Sequence, residues 1–248
     1  MKAGLAVPVG LALASLAALA TACAGGPVTP ELIVGAASSL EPVLREVGEI
    51  YEARTGARVT FVFGASGTIA RQIEEGAPID VFASADPAYM DRLAGRGLVD
   101  AGSVRSFGEG RLVVVAPFSV RGRADWTAPL RSGDKVRYIA IANPRTAPYG
   151  AAAVEALTSA ALWEELEPKV VYGETVMHVL QLVRTGNADV GLVARSLVDA
   201  GLAEGLHVSD VDPSAYEPIA ETVGIVSESR QQPLAARFVD ALLDRSGL

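Results

Sequence analysis

ELIVGAASSLEPVLREVGEIYEARTGARVTFVFG, residues 31–64, contains one complete strand–helix–strand unit. Leu32, Ile33 and Val34 make a short apolar run of the kind that forms a strand. Leu40, Val43, Leu44, Val47, Ile50 and Tyr51 then recur at the spacing of one buried helical stripe, predicting a helix over Leu40 to Arg54. Ser38 or Ser39 can cap that helix, Pro42 falls in its first turn and Gly56 can end it. Val59 to Phe63 supplies the second strand. This alternation points to an α/β fold with largely parallel strands.

The same alternation continues downstream. A helix is predicted over Ile69 to Glu75 and a strand over Ile79 to Phe82. Further strands are expected at 111–116, 136–142 and 188–193, and at the C-terminal run 219–226. Helices are expected from about Ala151 to Leu166, before Pro168, and from Val176 to Arg184. A last helix places Leu234, Phe238, Val239, Leu242 and Leu243 on one face. There is no repeat of fixed period, and no long linker interrupts the chain after Pro30.

Upstream lies a different kind of segment. Met1-Lys2 and the uncharged Ala/Leu-rich run to Ala20 read as a secretory signal over residues 1–22. Ala20-Thr21-Ala22-Cys23 resembles a bacterial lipobox, which implies acylation of Cys23 and a flexible tether over 23–30. The alternative is cleavage near Ala22 and release of an unanchored protein. A membrane-spanning helix fits less well, because the run passes straight into Gly and Pro with no positive stop. As the sole cysteine, Cys23 allows no internal disulfide.

Removal of the leader leaves 226 of 248 residues, enough for one large domain or two lobes. It also takes Lys2 with it, so the formal charge moves from −8 to −9. A nucleic-acid binder is expected to be basic, and aromatic residues at 6% leave little for base stacking. Two histidines and one cysteine are poor material for a protein-built metal centre.

Three strand-to-helix junctions concentrate small residues and hydroxyls: Gly35 to Pro42, Phe63 to Ile69 and Asn143 to Gly150. In an α/β sheet such junctions line the crevice at the carboxyl ends of the strands, and the free amides of a helix start attract anions. A serine there can cap the helix or donate its proton to a bound oxyanion, and the two uses compete. Gly64 and Gly67 could let the backbone approach a ligand or could simply make a turn. Arg71 and Arg145 could supply a local positive field or be ordinary surface arginines.

An enzyme is the competing class. Gly64-Ala65-Ser66-Gly67-Thr68 falls short of a nucleophile elbow because Thr68 occupies the last glycine position. His178 lies in an apolar stretch and His207 beside a Gly-rich turn, so neither makes a persuasive serine–histidine pair. Asp86-Pro87 reads as a helix start and Asp80 as a strand-edge residue rather than as paired acid and base.

Gly35 to Leu40, Phe63 to Ile73 running on through Gly76 to Ala85, and Ala142 to Gly150 together resemble the periplasmic molybdate-binding proteins of ABC importers, over nearly all of residues 31–248. The resemblance implies a two-lobed type II periplasmic-binding-protein fold with two crossing hinge strands, near Leu112 to Ala116 and Ile219 to Val226. The lobes would hold residues 31–112 plus 219–248, and 113–218. It implies a monomeric, extracytoplasmic carrier without cofactor or catalysis, lipid-anchored through Cys23 or periplasmic, which delivers molybdate and tungstate to an ABC permease. Sulfate or phosphate binding is the alternative within the fold, and a secreted serine hydrolase the alternative outside it. By match of motif, Ser39 and Ser66 donate hydroxyls, Tyr149 and Val176 donate backbone amides, and Ser38 is a further contact, all to an oxyanion and not to a bare metal cation. Ala194 stands where some members carry a tyrosine donor.

Overall fold

The computed structural model describes residues 29–120 and 125–244. The predicted leader, Cys23 and most of the tether lie outside these residues. In chain order the elements are β1 (Glu31–Ala37), α1 (Glu41–Thr55), β2 (Arg58–Gly64), α2 (Ser66–Glu74), β3 (Val81–Ser84), α3 (Pro87–Gly95), β4 (Arg105–Gly110) and β5 (Leu112–Pro117). There follow β6 (Ile139–Ala142), α4 (Pro148–Ser159), α5 (Trp163–Leu166), β7 (Val170–Gly173), α6 (Val176–Arg184), β8 (Val190–Ala194), α7 (Arg195–Asp199), β9 (Leu206–Asp210), β10 (Ile219–Ile225) and α8 (Gln232–Leu243).

The strands form two five-stranded sheets, ordered β2-β1-β3-β10-β4 and β7-β6-β8-β5-β9. β1 runs parallel to β2 and β3, and β6 runs parallel to β7 and β8. Every pairing of β10 or β5 is antiparallel, so the sheets are mixed and not largely parallel as the alternation suggested. The cause is connectivity. The chain passes from the first sheet to the second at Arg111, between β4 and β5, and returns over 211–218, between β9 and β10. Leu112 is already paired with Ala194 in the second sheet, and Ile219 with Gly110 in the first.

Local chemistry explains most helix ends. Pro42 sits in the first turn of α1, and Gly56 ends the helix with φ 70, returning its amide to the Glu52 carbonyl. Leu44, Val47 and Tyr51 turn inward from α1. The Tyr51 ring meets that of Phe238 on α8 edge-on at 5.4 Å, and its hydroxyl donates to the Leu234 carbonyl at 2.9 Å. α8 thereby returns the C-terminal segment to the first sheet. Fully burying a side chain such as Phe238 contributes about 1.5–3 kcal/mol. Phe238, Val239 and Leu242 are buried as predicted, whereas Leu243 is exposed and Ala235 takes its place on the inner face.

Several boundaries differ from expectation. The helix predicted over 151–166 is two, α4 and α5, broken where Ala161 adopts φ 54. Leu162 closes the break by donating to the Leu157 carbonyl, so an apolar pattern without Gly or Pro conceals a helix end. β6 starts at Ile139 and not at Val136, which ends a turn.

Candidate functional site

The turns that follow β1, β2, β6 and β7 converge between the two sheets. After β1, Ser38–Leu40 form one turn of 3-10 helix, and all three residues are buried. α6 packs on this turn from the second sheet. Ser196, on α7, donates its hydroxyl to the Ser39 carbonyl at 2.7 Å. After β2, the Gly67 amide donates to the Thr146 carbonyl at 2.9 Å, and Tyr89 OH reaches the Arg145 carbonyl at 3.3 Å. The junctions at 63–69 and 143–150 are thus held together across the cleft, and the one at 35–42 is held to α6 and α7.

The serines do not cap their helices. α1 has Leu40 at its N-cap and α2 has Ala65, with no side-chain cap at either, so the predicted capping by Ser38 or Ser39 is corrected. Asp86 and Thr175, by contrast, do cap α3 and α6. Ser66 is fully buried at the first position of α2, and its Oγ accepts from the Ala85 amide at 3.2 Å. With a lone pair thus used, its proton is directed elsewhere. Ser39 is 1% exposed, and its Oγ has no hydrogen-bond partner among the described residues.

Tyr149 is 2% exposed at the start of α4, and its phenol likewise lacks a partner among the described residues. The ring reaches back to the first sheet, where the phenol oxygen lies against Gly110 at the crossing, in space that any side chain at 110 would occupy. Burial holds this phenol far above the usual tyrosine range, the Glu221 carboxylate and Tyr216 add to the rise, and the neighbouring Ser39 hydroxyl acts the other way. A cavity of about 250 Å³ opens here, bordered by Ser39, Tyr149, Arg111, Arg195 and Glu221.

Main-chain donors complete the cleft. A helix leaves its first amides without an intrahelical acceptor. At α4 the Gly150 and Ala151 amides turn to the Ala147 carbonyl, leaving the Tyr149 amide without a backbone acceptor among the described residues. At α6 the Thr175 side chain takes the His178 amide at 3.1 Å, and the buried Val176 amide is left in the same way.

Other predicted features play structural parts. Gly64 lies against Ile69 and Gly67 against the Tyr89 ring, so their missing side chains accommodate packing. Arg71 is exposed and faces Glu75 at 3.9 Å, and Arg145 is exposed. Asp80 accepts from the Ile33 amide at 2.8 Å and the Ser229 hydroxyl at 2.6 Å, tying the opposite end of β1 to the β10–α8 loop. His178 accepts from the Glu174 amide at 3.3 Å, and His207 contacts Ser209 at 3.2 Å. Ala194 is fully buried at the start of α7. Ser196 and Tyr89 escaped the sequence reading, and Thr146 lay within the third junction without being singled out. Ser196 carried a usable signal, because it too is a hydroxyl at a strand-to-helix junction.

A family model for bacterial extracellular solute-binding proteins matches residues 32–247. The molybdate-binding protein of Rhodobacter capsulatus is 34% identical over 239 residues, 93% of this chain and 88% of its own length. A Bacillus subtilis protein named as an ABC transporter substrate-binding lipoprotein is 29% identical, over 85% of this chain and 80% of its own. The solved structure of the Azotobacter vinelandii periplasmic molybdate-binding protein superposes with a TM-score of 0.76 at 28% identity, covering 87% of this chain and 97% of its own.

Proposed function

This chain belongs to the bacterial extracellular solute-binding proteins, a family of carriers and not of enzymes, and from that premise we propose that it captures molybdate, and tungstate with it, for an ABC permease. The observation that carries the reading is the set of buried serines, Ser38, Ser39 and Ser66, at turns where no serine is spent on capping. Ser39 and Ser66 donate hydroxyls, Ser38 adds a contact from the same turn, and Tyr149 and Val176 donate amides from the opposite sheet.

None of these donors is Lys or Arg. A dianion stripped of water can be held by neutral dipoles at helix starts, each hydrogen bond to the charge worth about 1.5–3 kcal/mol. Without a buried counter-charge the anion leaves as an intact species, which suits delivery. The two sheets then belong to two lobes close to those expected from the sequence, except that Leu112 falls in the second, and they are joined at Arg111 and over 211–218. Cys23 anchors the protein to the outer face of the membrane through a lipid, and the protein acts as a monomer.

The test is a thermal-shift series with molybdate, tungstate, sulfate, phosphate and chromate, since a ligand that binds only the folded state raises the melting temperature. Molybdate and tungstate are expected to raise it at micromolar concentration, with sulfate in millimolar excess competing poorly. A rise with sulfate or phosphate alone would move the assignment to a different oxyanion. Mass spectrometry of the membrane fraction tests acylation of Cys23.

A further inference from the structure

We propose that the phenol of Tyr149 aims the Ser39 hydroxyl at the bound anion, so that position 149 contributes a side chain as well as an amide. This rests on the oxyanion-binding reading above. A serine hydroxyl has one proton and two lone pairs, and a donor that occupies a lone pair turns the proton away from itself. At Ser66 the Ala85 amide does this. At Ser39 no amide does so. The Tyr149 phenol, itself buried and unpartnered among the described residues, borders the same cavity as Ser39.

Two adjacent orphan hydroxyls, 1% and 2% exposed, are costly until their hydrogen bonds are made. An anion in the cleft orders them. Tyr149 OH donates to Ser39 Oγ, Ser39 donates to the anion, and each bond polarises the next. Burial and the Glu221 charge keep the phenol protonated, as a donor must be. Gly110 leaves room for the phenol oxygen, with Ile219 alongside. Tyr149 is accordingly a positioning residue that acts through Ser39.

Calorimetric titration of molybdate into wild type, Tyr149→Phe, Ser39→Ala and the double variant tests this. Tyr149→Phe is expected to weaken binding about three- to tenfold, the loss for one neutral hydrogen bond, and to cause no further loss in the Ser39→Ala background. Its ligand-free melting temperature is expected to equal or exceed that of wild type, because the change removes an orphan hydroxyl and keeps the ring. Wild-type affinity in Tyr149→Phe, the same loss in both backgrounds, or a lowered ligand-free melting temperature would overturn the assignment. Failure of the wild type itself to bind molybdate is a separate result and defeats the underlying reading.

Discussion

On the proposed reading, the two faces of the cleft meet the same guest with different chemistry. The turns after β1 and β2 offer serine hydroxyls, Ser39 and Ser66, whereas those after β6 and β7 offer the main chain of Tyr149 and Val176. A hydroxyl donor is written in the residue type and is lost by one substitution. An amide donor is written in the fold, and almost any side chain may stand above it. The first face should therefore be sensitive to side-chain truncation and the second to loss of an N–H.

The sharpest way to break this comparison is Val176→Pro. Position 176 is the first residue of α6, where proline costs the helix no internal hydrogen bond, and Thr175 before it is extended at φ −133 and ψ 164, as a residue preceding proline prefers. Molybdate affinity is expected to fall by about a hundredfold or more, from one lost charged hydrogen bond plus the ring's intrusion into the cleft. Val176→Ala keeps the amide and should bind within about twofold of wild type while losing about 1 kcal/mol of stability. If calorimetry shows the alanine variant as damaged as the proline variant, the second face does not work through its main chain.

Next in size are the hydroxyls themselves. Ser39→Ala and Ser66→Ala are each expected to weaken molybdate binding about ten- to a hundredfold. They should differ in stability. Ser66→Ala orphans the buried Ala85 amide and costs about 1 kcal/mol, a drop of about 2–4 °C in melting temperature. Ser39→Ala removes an oxygen that had no partner and should leave the ligand-free protein as stable as before. Unchanged affinity in both variants would remove the first face from the site.

The same contrast governs how much could be read in advance. α1 was legible because its stripe, Pro42 and Gly56 all agree. β4, β7 and β9 were not, and all three are edge strands, short and partly polar, as in Arg105–Gly110 with its two glycines. The serine junctions were visible from composition, but not that the serines would be left uncapped, since that depends on turn geometry. Tyr149 and Val176 could be named only through a family resemblance, because an amide donor leaves no signature in residue type. The meeting of Tyr149 with Ser39 and Gly110 brings together distant parts of the chain, and no local pattern reports it.

The smallest expected effect concerns Tyr149 at alkaline pH, without ligand. In the unfolded chain a tyrosine ionises near its ordinary value of 10.0, while in the folded protein burial and Glu221 hold this phenol protonated well beyond that. A group whose pKa is raised by folding contributes stability in full below the unfolded value, and loses it as pH climbs from there toward the folded one. Wild type should accordingly lose stability above pH 10 more steeply than Tyr149→Phe, with the two parallel below about pH 9. Tyr51 and Tyr89 are raised as well, but they are common to both proteins and cancel in the difference. Denaturant melts at half-unit intervals across this range would reveal the divergence. Parallel curves throughout would mean that the phenol reaches solvent, and a solvated phenol could not be the donor that directs Ser39.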